Sequence, residues 1–139
     1  MVGQDDRRQE VKASIAPWLS VGDAAQAVDY YGAAFGAVER YRLEDDAGRV
    51  VVAQLALGAA DFWIQDDPEA SPGTCAGAVR MILTVEDPES VHAAALRAGA
   101  TEISPVSEGH GWLIGRLSDP FGHQWEVGRP LETQEEPAA

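Results

Sequence analysis

The sequence predicts an α+β fold of two βαβββ modules that pair their sheets into a curved, partly closed cleft. Three observations carry this. The order strand, acidic cap, amphipathic helix, Gly-Ala, strand begins near Ala13 and again near Ala78. The marker residues repeat at a steady offset of 63 or 64: Asp23 with Asp87, Gly36-Ala37 with Gly99-Ala100, Gly48 with Gly111. A period of that length fits a supersecondary unit, and a helix over one face of a sheet leaves the other face needing cover.

In the first module, Ser14 to Val21 alternates apolar and small residues around Pro17 and reads as a strand. Pro17 has no N–H for a ladder, which places that strand at an edge or a bulge. Asp23 caps a helix, with Gln26 in the capping-box position. Ala24, Ala27, Val28, Tyr31 and Phe35 fall on one helical face, and Gly36 ends the helix. Strands follow at Val38–Leu43, Val50–Leu57 and Ala60–Gln65, with turns at Asp46-Ala-Gly48 and Leu57-Gly-Ala59. In the second module Val79–Val85 is a strand, Asp87 a cap and Pro88 the first helical residue. Val91, Ala94, Ala95 and Ala98 make its apolar face, which puts His92 on the exposed one. Strands are expected near Thr101–Val106, Trp112–Ser118 and Gln124–Val127, with Asp119-Pro-Phe-Gly122 as a type I turn.

These elements divide the chain into a polar tail at 1–12, one domain at 13–128 (modules 13–67 and 78–128, linker 68–77), and a tail at 129–139. A chain of 139 residues with 45% hydrophobic content supports one core. No run of 18 apolar residues offers a membrane span, and the first dozen residues lack an apolar signal-peptide centre, so the expected location is the cytoplasm. The net charge of -13 argues against nucleic acid, which needs clustered Lys and Arg, and suits a cationic small ligand. The single cysteine, Cys75, excludes an internal disulfide and a cysteine cluster for zinc; its Gly/Pro-rich surroundings read as an exposed loop.

Five segments, Pro17-Trp-Leu-Ser-Val-Gly-Asp23, Ala27-Val-Asp-Tyr-Tyr31, Ala34-Phe-Gly-Ala37, Leu83-Thr-Val-Glu-Asp87 and Asp119-Pro-Phe-Gly-His-Gln-Trp125, resemble the vicinal-oxygen-chelate superfamily. That is the fold of glyoxalase I, extradiol dioxygenases and bleomycin-resistance proteins. Tyr30-Tyr31, Ala34-Phe-Gly-Ala37 and Asp119-Pro-Phe-Gly-His123 look most like its PhnB-like subgroup. In metal-binding members four ligands come from the first and last strand of each module. The resemblance places those positions at Ala16, Trp63, Arg80 and Glu126, and the repeat relates them pairwise. Ala16 has no donor atom, an indole N–H only donates, and a guanidinium is permanently cationic, which leaves Glu126 alone. The resemblance therefore implies a metal-free binding protein with no cofactor. It would sequester an antibiotic or an aromatic metabolite and, as in the resistance group, form its cleft at a homodimer interface. The alternative is an enzyme of the same superfamily (lyase, dioxygenase or isomerase) with Glu126 as metal ligand or general base.

The expected ligand-binding residues are Trp18, Trp63, Gln65, Arg80, Trp112, Arg116 and Glu126. Arg80 is expected to replace the lost metal cation and pair with Glu126. Aromatic walls with few polar groups suit a planar ligand. Trp125 should face the opposite side, toward a helix. His123 reads as a turn or strand-end residue, and His110, between Gly109 and Gly111, as part of a mobile lid.

Overall fold

The computed structural model describes residues 13–75 and 79–132. The expected tail at 1–12, the end of the linker at 76–78 and residues 133–139 lie outside them. The elements run β1 (Trp18–Val21), α1 (Ala24–Phe35), β2 (Val38–Glu44), β3 (Val50–Leu57), β4 (Ala60–Asp66), α2 (Pro72–Cys75), β5 (Arg80–Thr84), α3 (Pro88–Arg97), β6 (Thr101–Gly109), β7 (Trp112–Ser118) and β8 (Gln124–Pro130). They form two four-stranded sheets of the same design, β1-β4-β3-β2 and β5-β8-β7-β6. In each, the first strand pairs parallel with the last and the remaining pairings are antiparallel. This is the expected α+β pair of βαβββ modules, with no closed barrel. No helix among the described residues is long and apolar enough to cross a membrane.

The caps do what the sequence proposes. Asp23 accepts from the Gln26 N–H at 3.1 Å, and Asp87 from the Ser90 N–H at 3.2 Å. Asp66, at the end of β4, accepts from the Ala24 N–H at 2.8 Å and so satisfies a second donor in the first turn of α1. Gly36 adopts φ +76°, where a side chain would be strained.

The core lies between the helices and one face of each sheet. Leu19, Val21, Leu55, Phe62 and Ile64 bury against Tyr31 and its helix; Leu117, Trp125 and Val127 do the same in the second module. An aromatic cluster joins the halves, with Phe35 to Trp125 at 4.6 Å and Phe62 to Trp125 at 5.7 Å between ring centroids. Trp125 is thus on the helix side, as the alternation requires.

Buried Asp119 fixes that junction. It accepts from Tyr31 Oη at 2.5 Å, Trp125 Nε1 at 2.9 Å and the Phe121 and His123 N–H groups at 2.9 Å. The Asp-Pro-Phe-Gly-His motif is thereby a structural hub, because an unpaired buried carboxylate would be costly. Burial, and then the Asp119 charge, push the Tyr30 and Tyr31 phenols well above their ordinary range. His123 adds a second tie, with Nε2 2.8 Å from the Ser20 carbonyl of β1.

Several expectations need correction. The first strand begins at Trp18; Ser14 to Pro17 are outside it, although the Pro17 carbonyl still accepts from the Trp63 N–H at 2.9 Å. The stretch around Cys75 contains the short helix α2, and the Cys75 side chain lies outside the description. His92 is buried, not exposed. Its Nε2 lies 3.0 Å from Glu102, and its ring fills space left by Gly115. The stretch at 108–111 is a tight hairpin and not an open loop: β6 extends to Gly109, and His110 and Gly111, at φ +53° and +82°, make a two-residue turn of the primed kind.

Candidate functional site

Strand alternation sends one set of side chains into the core and the other onto the outer face of each sheet. On the first sheet, one row in register crosses all four strands: Trp18, Trp63, Gln54 and Tyr41. Trp18 and Trp63 stack with centroids 6.0 Å apart and planes inclined by 23°. Tyr41 meets Trp63 edge-on at 6.1 Å. Trp18 Nε1 donates to Gln65 Oε1 at 2.8 Å, which fixes the outer indole against the strand beside it. Trp18 is 52% exposed, so this paired indole surface faces outward. Gln54 donates to Asp61 at 3.2 Å on the same face.

The equivalent row on the second sheet reads Ile82, Glu126, Arg116 and Ser104. The two arginines of this face lean over β8 from opposite sides. From β5, Arg80 stands opposite Gln124 but reaches diagonally to Glu126, Nε to Oε1 at 3.2 Å. From β7, Arg116 stands opposite Glu126 but donates Nη2 to Gln124 at 3.3 Å. Glu126 is 16% exposed and Arg80 43%. The Nε of Arg116 is buried and has no hydrogen-bond partner.

A cleft of about 610 Å³ lies along the seam between the modules. Ile15, Ala16, Asp61, Arg80, Ile82 and Trp125 are among its lining residues. Its size suits a small ligand, but of the expected ligand-binding residues only Arg80 lines it.

The structure thus brings Trp18, Trp63 and Gln65 together on one sheet, and Arg80, Arg116 and Glu126 on the other. Trp112 stands apart, at the far end of β7 opposite Pro130. Tyr41 is the residue the sequence reading missed. A register shift between Glu39 and Tyr41 breaks the alternation that would have placed it.

The donor set does not fit the superfamily's metal. Of Ala16, Trp63, Arg80 and Glu126, only Glu126 offers an acceptor, and it is held by a guanidinium. A metal centre of this kind needs about three protein ligands. No group of three or more His, Cys, Asp or Glu among the described residues gathers to hold one.

Residues 18–128 match the glyoxalase-like domain family. The chain belongs to that family, and with it to the vicinal-oxygen-chelate superfamily. An uncharacterized protein of Mycobacterium bovis is 34% identical over 130 residues, covering 87% of this chain and 86% of its own. A Mycobacterium tuberculosis protein, also uncharacterized, shows the same identity with 76% of its own length covered. Among solved structures, TioX from Micromonospora sp. ML1 superposes with a TM-score of 0.70 at 25% identity, over 86% of this chain and all of its own. The fosfomycin resistance protein FosX from Mesorhizobium loti shares the fold alone: TM-score 0.65, 11% identity, 86% of this chain and 93% of its own.

Proposed function

We propose that this glyoxalase-like protein is a metal-free small-molecule-binding protein of the bleomycin-resistance type, which holds an antibiotic or a planar aromatic metabolite without transforming it. The observation that carries the reading is the outward-facing Trp18–Trp63 pair with Tyr41 beside it. Indole faces offer a planar ligand a large apolar contact at little cost in side-chain freedom. The second support is the donor set at the family's metal positions, where the Arg80–Glu126 pair stands in place of an ion and its ligands.

The working unit is a homodimer. Trp18, Val38, Tyr41, Leu43, Ile82 and Ile103 are all exposed, as is Ile15 at 99%. That much bare apolar surface is unusual for a monomer. A second copy laid over the outer faces would cover it and turn two open sheets into the walls of a site.

Titrating the protein with aromatic compounds of differing charge, followed by tryptophan fluorescence, tests the reading. Saturable quenching is expected, weakened about tenfold or more in Trp63→Ala. Quenching unchanged in that variant would count against it, as would stoichiometric metal at Glu126 in the purified protein.

A further inference from the structure

We propose that the second sheet is an anion-recognising wall, so that the ligand is an aromatic carboxylate and not a cation. The inference rests on the aromatic-binding reading above and names the chemical class of its ligand. Over β8 the crossed arginines bring two guanidinium groups to one carboxylate. The remaining in-register neighbours of this row and the next are neutral: Gln124, Ser118, Thr101, Ser104, Thr84 and Ile114. The local balance is thus two cations to one anion, the reverse of a chain that carries -13 overall. Asp61 of β4 shares the cleft with Arg80; most other acidic residues lie away from β8, among them Asp45 and Asp46 in the β2–β3 turn and Glu86, Asp87 and Glu89 around the start of α3, all exposed.

Neither guanidinium is saturated. Arg80 meets Glu126 through Nε alone among the contacts formed by the described residues, and its head is 43% exposed. Among the described residues Arg116 has one hydrogen bond, to a neutral amide, and its buried Nε has none. A guanidinium left with free donors in a partly buried position is suited to a planar oxyanion, which accepts two parallel N–H bonds. Glu126 does not oppose this, because Arg80 already neutralises it. A carboxylate over β8 would pair with the outer nitrogens of Arg116, and in the proposed homodimer the first sheet of the second copy would set its indole pair against the ring. An amine placed there would meet the uncompensated charge of Arg116.

Calorimetric titration with three naphthalenes that differ only in the side group tests the proposal: naphthalene-2-carboxylate, naphthalene-2-carboxamide and 2-naphthylmethylammonium. The carboxylate is expected to bind about tenfold tighter than the amide, with the amine weakest. Arg116→Gln should bring the carboxylate to the level of the amide. Should that variant not fold, Arg80→Gln and the wild-type ranking at low and high salt decide, since a charge-based preference shrinks with salt. An amine or amide that binds as well as the carboxylate overturns the proposal, and so does a preference that survives in the arginine variants. If none of the three binds, the aromatic-binding reading itself has failed and this inference goes with it.

Discussion

Across the outer face of the first sheet the central row reads Trp18, Trp63, Gln54, Tyr41; across the second it reads Ile82, Glu126, Arg116, Ser104. Repeat-related positions on the same scaffold have become aromatic in one module and ionic in the other. On the inner faces both modules stayed apolar: Leu19 and Val21 in β1 correspond to Leu83 and Val85, and Ile64 in β4 to Val127. The inner faces answer to packing, which tolerates only apolar groups of suitable volume. The outer faces answer to whatever they contact, and they have diverged.

The largest expected effect therefore lies inside. Asp119→Ala strands four donors, two of them on Tyr31 and Trp125, and should cost about 3–5 kcal/mol in urea unfolding. A loss below about 1 kcal/mol would show that the modules are not joined there. Gly115→Ala is next. Its methyl would lie 2.7 Å from His92 Nδ1 and from Val106 Cγ2, and overpacking of that kind costs about 1–3 kcal/mol. On the outer faces the same assay should hardly respond. Arg80→Ala removes a half-exposed ion pair worth under about 1 kcal/mol, and Trp18→Ala a half-exposed ring, yet both should weaken ligand binding.

Alkaline titration sharpens the contrast from another side. The Tyr30 and Tyr31 phenols are raised by burial and by Asp119, so the folded state keeps protons that the unfolded chain gives up near 10. Their contribution to stability is complete below that pH and is lost as pH rises beyond it. Their phenolate absorbance at 295 nm is expected only together with unfolding.

Much of the fold was legible because it rests on local chemistry. Asp23 and Asp87 as caps, the glycines at positive φ and the repeated order are backbone demands that a sequence displays. Non-local facts were not. The burial of His92 depends on the absence of a side chain at Gly115, which lies 23 residues away on another element. The role of Asp119 depends on Tyr31, 88 residues distant. Of the candidate site, Trp63, Arg80 and Glu126 were proposed from the family resemblance with the repeat in support, and Trp18 and Gln65 from strand alternation. Tyr41 was hidden by a register shift, and the crossing of the arginines over β8 could not be read, because each reaches diagonally past its in-register partner.

The most direct test is the set of four indole N–H resonances in a nitrogen-15 correlation spectrum during titration with naphthalene-2-carboxylate. The Trp18 and Trp63 signals should move together and saturate, while that of Trp125, held by Asp119 in the core, stays in place. A spectrum in which Trp18 and Trp63 remain still as the aromatic compound is added would contradict the account.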